Sequence, residues 1–369
     1  MTTSKEKVKL GGRACCSPFD VLWIRHSMSA ADFGKVDKIL IRSTNWIGDA
    51  VMTVPAMGAV REAFPHAQIA VVANPVVAEL FAGHPYCDRT IIWDKKNINK
   101  GLSGLLRFGM DLRSENFDLA ILFQNAIEAA IMAWLARIPK RIGYRTDGRG
   151  TLLSHGIPAG RREKRLHHID YYLHLLDRAG VKSDPGRLSL YCTEEEIAWA
   201  REKLASRTWI AVNAGAAYGS AKRWIPERFA ATADLIHRKL KTHFLLLGGP
   251  EDILVGNHIL ATMQAPHLNL IGQTSIRQLM ALLSQCRLLL TNDSGPMHIA
   301  AALGIPIVAL FGPTDHTATS PLSSFCRIIR HETDCAPCLK RHCPTDHRCM
   351  TAISVEEVAE AVLGLLDRE

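Results

Sequence analysis

The sequence predicts an α/β protein of two domains, each built on a parallel sheet. Three observations predict it. At 369 residues the chain is long for one hydrophobic core. Runs such as Leu288–Leu290 and Ile307–Leu310 are apolar throughout instead of alternating, as strands buried on both faces are. Stretches of helical period separate such runs along most of the chain, the alternation from which parallel sheets are made.

Taken in order, residues 1–36 precede the pattern. Lys5, Lys7 and Lys9 are not followed by an apolar run, so no signal peptide is expected, and the segment reads as a disordered extension. Lys38–Arg42 is the first expected strand, followed by a turn and a helix from Asp49 that Pro55 should bend. Further strands are expected near Ile69–Ala73, Thr90–Trp93, Leu119–Phe123 and Arg141–Tyr144, with a helix over Ile127–Arg137 and another from His167 to Ala179. The first domain is therefore placed at 37–182.

The second domain is placed at 183–350. Thr193 with Glu196 forms a capping box, Trp209–Asn213 is a strand, Pro226 starts a helix, and His243–Leu247 is the next strand. Ser275 with Gln278 caps a further helix, and Ser354 with Glu357 caps the last, within a terminal segment 351–369. Between these lies TNDSGPMHIAAALGIPIVALFGPTD, residues 291–315: the end of one strand, a turn, a short helix opening at Pro296 and closing at Gly304, and a second strand.

The turn carries chemistry. A helix start offers unpaired N–H groups and about half a positive charge, so an anion such as the pyrophosphate of a nucleotide sugar fits there. Gly295 allows close approach, Ser294 adds a hydroxyl, and His298 lies in the first turn. Read alone, the same residues also describe an ordinary Asp/Ser-capped helix, and His298 a packed core histidine.

The composition is 47% hydrophobic and 22% charged, with no apolar window long enough to span a membrane. The net charge is +8, of which the leader holds +3 from six Lys/Arg and three Asp/Glu. Nine basic residues fall between Arg137 and Arg165, either a solvated loop or a surface for phosphorylated glycolipid on an anionic membrane face. A basic nucleic-acid binder is the rival class, but no recognition helix or aromatic platform appears, and no nucleic-acid partner is expected.

The 291–315 segment resembles the donor-site motif of the ADP-heptose:lipopolysaccharide heptosyltransferases, inverting glycosyltransferases of the GT-B fold. KILIRSTNWIGDAVMTVPAMGAVREAFP, AKRWIPERFA and LLLGGPED follow the same family in the same order, so the resemblance covers about residues 37 to 367. Within the family, heptosyltransferase II is most similar. The resemblance implies two Rossmann-like domains with a cleft between them, acceptor-binding in the N-terminal half and nucleotide-sugar-binding in the C-terminal half, with a terminal helix packing back on the first.

It also implies roles. Asp49, after Gly48, matches the family's general base, although an Asp there is equally an N-cap. Lys222 matches the lysine at the donor diphosphate, and Glu251 the acidic position on the ribose or adenine side, its register uncertain by one residue. Asp293, Ser294, Gly295 and His298 complete the donor site. The implied reaction transfers L-glycero-D-manno-heptose from ADP-heptose to heptose I of the lipopolysaccharide inner core, without a required cofactor. The alternatives are another core position or another GT-B nucleotide-sugar enzyme. A lipid-linked acceptor implies a cytoplasmic enzyme in transient peripheral contact with the inner membrane.

Cys335, Cys338, Cys343 and Cys349 lie within fifteen residues and open with CxxC, so a structural zinc is one expectation and reduced thiols another. The Cys-x5-Cys half departs from the usual spacing of zinc knuckles.

Overall fold

The computed structural model describes residues 33–367 except 183 and 206, so the expected extension lies almost wholly outside the described residues. Two six-stranded sheets, parallel throughout, organise the chain. The first holds β1 (Lys38–Arg42), β2 (Gln68–Ala73), β3 (Arg89–Ile92), β4 (Leu119–Leu122), β5 (Lys140–Tyr144) and β6 (His155–Ile157) in the order β3-β2-β1-β4-β5-β6. The second holds β7 (Trp209–Asn213), β8 (His243–Leu246), β9 (His267–Asn269), β10 (Leu288–Asn292), β11 (Ile307–Leu310) and β12 (Cys326–Ile329) in the order β12-β11-β10-β7-β8-β9. Counted from its own first strand, each sheet is wound 3-2-1-4-5-6. Such an order reverses direction between its first and fourth strands, and ligands gather at the carboxyl ends of those two.

Strand alternation sorts the core. In β1, Ile39 and Ile41 face one layer of helices and Leu40 the other. In the second sheet, Ala211, Leu289 and Ala309 face inward, and Ile210, Leu288, Leu290 and Val308 outward. The inward layers of the two sheets belong to one apolar cluster that includes Val51 and Met52 from the first domain and Met297 and Ile299 from the second. The cleft therefore closes over a shared hydrophobic floor.

Local signals decide several boundaries. The Thr193/Glu196 and Ser275/Gln278 capping boxes are both formed. Ser354 accepts from the Glu357 N–H, but the Glu357 carboxylate faces His331 Nε2 at 2.9 Å instead of returning to the cap. The helix expected to bend at Pro55 is two helices, Ile47–Met52 and Val54–Ala63, because Pro lacks the N–H that would continue the first. The edge strands β6, β9 and β12 have three or four residues each and carried too little pattern to be expected.

The terminal helix, Val355–Leu366, corrects an expectation. Its stripe of Val358, Val362 and Leu365 lies on the outward layer of the second sheet with Ile210 and Leu288, beside helix Pro226–Leu240, and not on the first domain. The helix contacts β10, β11 and β12 directly, so burial of the stripe is satisfied at home. Among the described residues no helix is long and apolar enough to cross a membrane.

Candidate active site

At the end of β1 the buried Arg42 turns back on its own loop. Its guanidinium donates to the Ser43 carbonyl at 2.5 Å and to Asn45 Oδ1 at 3.0 Å, fixing residues 43–46 at the head of helix Ile47–Met52. Burial lowers its pKa to about 10, which leaves it charged at neutral pH. Trp46 is the N-cap of that helix, and Asp49 is its third residue. Asp49 is therefore not the cap that its residue type suggested. Its Oδ1 instead accepts from His168 Nδ1 at 2.9 Å, with both side chains partly exposed.

Beside this pair lies a cavity of about 380 Å³ at the carboxyl ends of β1, β4 and β5. Thr44, Asp49, Asn125, Thr146, Lys164, His168 and Tyr171 are among its lining. Hydroxyls, amides and one aromatic face suit a sugar ring. The buried Thr44 hydroxyl has no hydrogen-bond partner among the described residues. Much of the basic stretch nearby serves the fold itself. Arg149 donates to Tyr144 O at 2.8 Å and also binds Gln124 O, while Arg141 donates to Leu152 O at 2.6 Å. Arg161, Arg162, Lys164 and Arg165 remain at the surface.

The second domain presents its own strand ends opposite. Asn292, closing β10, donates to Ala214 O at 2.7 Å and accepts from Trp224 N at 3.1 Å, tying down both ends of the 214–224 loop. Ser294 is the N-cap of helix Gly295–Leu303, yet its hydroxyl bonds Asn213 Oδ1 at 3.2 Å and not the helix start. The first-turn N–H groups thus receive no side-chain cap, the condition under which a helix start binds an anion. Lys222 Nζ sits 2.6 Å from Asp293 Oδ2, which also accepts from Thr314 Oγ1 at 2.6 Å. A half-buried cation therefore stands next to the open helix end.

The Lys222 loop is held by the cysteine segment. Ala221 N donates to Arg341 O at 2.9 Å, Tyr218 Oη to Leu339 O at 2.8 Å, and His347 Nε2 to Ala221 O at 2.6 Å. The Tyr218 ring lies between cations, 5.1 Å from Lys222 Nζ and 5.4 Å from Arg341 Cζ. Among the described residues no three His, Cys, Asp or Glu side chains are placed to hold a metal ion, so the zinc expectation finds no support here. Cys335, Cys338, Cys343 and Cys349 are free, and the segment acts through its backbone and its neighbours.

Glu251 is exposed in the turn Pro250–Asp252 and makes no hydrogen bond among the described residues. Its neighbour Asp252 is the structural acid, accepting from Gly249 N at 3.1 Å and Arg223 at 3.2 Å, with its pKa raised by burial. One carboxylate is used by the fold and the other is open.

The halves meet at two glycines. A Cβ on Gly48 would lie 2.8 Å from Cδ2 of His298, and one on Gly295 would lie 3.0 Å from Cβ of Ile47 and 3.6 Å from the Gly48 nitrogen. The Asp49 helix and the Gly295 helix start are in contact across the cleft. His298 is buried there, and burial pulls its pKa to about 4 against the opposing effects of Asp293 and Asp49, so the ring is neutral. His167, next to His168, bonds Ser320 O of the second domain at 2.9 Å. His168, Thr314, Tyr218 and Arg341 were not singled out from the sequence. No spacing marks them, since each acts through a neighbour distant along the chain.

Two like-wound parallel sheets with opposed strand ends, an open helix start and a half-buried lysine define a GT-B glycosyltransferase. Residues 105–348 match glycosyltransferase family 9 (heptosyltransferase), and the chain belongs to that family. It is similar to lipopolysaccharide heptosyltransferase 2 of Salmonella typhimurium, at 29% identity over 90% of this chain and 99% of that one. Lipooligosaccharide heptosyltransferase 2 of Haemophilus ducreyi is 32% identical over 79% of this chain and 88% of its own. The solved structure of Escherichia coli ADP-heptose lipopolysaccharide heptosyltransferase II shares the fold with a TM-score of 0.77 at 29% identity, over 90% of this chain and 99% of that one.

Proposed function

We propose that this glycosyltransferase moves L-glycero-D-manno-heptose from ADP-heptose onto heptose I of the lipopolysaccharide inner core, inverting the anomeric centre in one displacement. The observation that carries the reading is the contact between the Asp49 helix and the Gly295 helix start. It puts a carboxylate and an anion-binding helix end on opposite sides of one cleft, the arrangement a single displacement needs. The similarity to relatives named heptosyltransferase 2 supports the choice of sugar and position.

In this reading Asp49 takes the proton of the acceptor hydroxyl while the acceptor sugar occupies the 380 Å³ cavity. Lys222, Ser294 and the Gly295 helix start receive the diphosphate and stabilise the charge it gains on leaving. Asp293 orients Lys222, Glu251 takes the ribose or adenine side, and neutral His298 with Gly48 closes the cleft. The acceptor is lipid-linked, so the enzyme works at the cytoplasmic face of the inner membrane as a peripheral protein.

The test is to incubate the protein with ADP-heptose and core acceptors truncated after Kdo or after the first heptose, and to weigh the products. Addition of one heptose to the second acceptor only is expected. Transfer to the Kdo-terminated acceptor, or none to either, overturns the assignment.

A further inference from the structure

The first domain carries an apolar face that the site does not use. Helix Gly101–Ser114 turns Leu105, Phe108 and Leu112 into the core and leaves Leu102, Leu106 and Met110 exposed. At a spacing of four these three form one row along the helix, and Ile98, 70% exposed, lies in the turn that precedes it. The row borders Gly109, whose Cβ would lie 2.6 Å from Leu135 of helix Ile127–Leu135. That helix adds Ile127 and Trp134, the latter 53% exposed. Five large apolar side chains on two packed helices make a patch of the kind that marks an interaction surface.

The surroundings of the patch are cationic. Lys96, Lys100, Arg107, Arg113 and Arg137 are exposed and form no ion pair among the described residues. The nearby acids are mostly engaged: Glu128 with Lys95, Glu115 with Arg89, and Asp94 with Asn97. Between residues 95 and 114 the only acid is Asp111. Asn125 and Ala126, directly before helix Ile127–Leu135, line the sugar-sized cavity, so the face begins beside that cavity's mouth.

We propose that this face docks on an anionic phospholipid bilayer, with Leu102, Leu106, Met110 and Trp134 entering the headgroup boundary and the five cations meeting lipid phosphates. Leucine, methionine and an interfacial tryptophan fringed by Lys and Arg are the composition that settles there. A second copy of the chain fits less well, because a twofold interface through this patch would set the same cations against one another. The proposal deepens the proposed function: it rests on that reading for the identity of the neighbouring cavity, and it names the surface that brings a lipid-linked acceptor to it.

The experiment is sedimentation of the full chain, without donor, with vesicles of phosphatidylethanolamine and phosphatidylglycerol or of phosphatidylcholine alone. The expected result is pelleting with the anionic vesicles only. A Leu106→Ser, Met110→Ser, Trp134→Ser variant should lower the bound fraction about tenfold, and a Lys100→Glu, Arg113→Glu variant should do the same. Transfer to a soluble truncated acceptor should remain at the wild-type rate in both, which also reports that they fold. Wild-type pelleting by both variants overturns the proposal. So does a lipid-independent dimer that the serine variant dissolves while no form of the protein pellets. Absence of heptose transfer would count against the proposed function and leave the vesicle result standing.

Discussion

His168 Nδ1 donates to Asp49 Oδ1 at 2.9 Å, so the carboxylate at the head of helix Ile47–Met52 is oriented by a histidine 119 residues further along the chain. The second oxygen of Asp49 has no protein partner among the described residues, and in the proposed reaction it is the one that would take the acceptor proton. Asp49→Asn keeps the shape and the contact but cannot take a proton. Turnover in that variant should fall by about 10² to 10⁴ with the melting temperature unchanged. His168→Ala should lower kcat by about 10- to 100-fold through loss of orientation, and His168→Asn, which keeps a donor near the Nδ1 position, should recover part of it. Equal rates for the alanine and asparagine variants would remove the orienting role.

Lys222 and Asp293 form the most buried ion pair at the cleft, at 2.6 Å. Lys222→Ala strands the Asp293 carboxylate with only Thr314 Oγ1 as partner, so a stability loss of about 3 kcal/mol is expected in chemical denaturation. The double variant Lys222→Met, Asp293→Asn should recover most of that stability but none of the activity. In Lys222→Ala the chemical step should slow by about 10² to 10³ if, as proposed, the lysine acts on charge that grows in the transition state. A rise in KM at constant kcat would instead mark it as a ground-state binding residue.

His298 makes stability depend on pH. Its folded pKa is about 4 against 6.5 for a free imidazole, so between those values the unfolded chain binds one more proton than the folded chain. The contribution is therefore fully present above 6.5 and is lost as pH falls toward 4. At about pH 5 the loss should reach about 2 kcal/mol. Denaturation of the wild type and of His298→Asn at about pH 7.5 and about pH 5 should show the smaller decline in the variant.

Gly48 and His298 should be energetically coupled across the cleft. Gly48→Ala places a methyl 2.8 Å from the His298 ring, too close for either domain to keep its position. Activity should drop about tenfold or more, since a displacement near 1 Å is enough to misalign reacting groups. Adding His298→Ala should return part of the stability lost, and a double-mutant cycle should give a coupling of about 1 kcal/mol or more.

The central strands of both sheets were legible because strands buried on both faces are written as unbroken apolar runs. Lys38–Arg42 and Trp209–Asn213 are found with the expected ends. The edge strands β6, β9 and β12, three or four residues with mixed burial, left no such trace, whereas the edge strand β3 was expected near Thr90–Trp93. Local chemistry was also legible, as at the Thr193 and Ser275 caps, because a capping box is complete within four residues. Partnerships between distant residues were not. His168 on Asp49, Arg341 behind Tyr218 and Thr314 on Asp293 depend on the winding of the sheets, which the sequence expresses only through the fold. The destination of the terminal helix failed for the same reason, since an apolar stripe declares that it will be buried without declaring where.

The apolar floor shared by both sheets bears on the enzymatic cycle. Val51 and Met52 lie in one cluster with Met297 and Ile299, so spreading the halves apart wets a hydrocarbon seam as well as unlocking polar groups. In the proposed cycle, any parting of the halves that releases nucleotide would admit water to that seam, which favours the compact arrangement between turnovers. Substitutions that make the seam more polar should loosen the clasp and hasten departure at the expense of alignment.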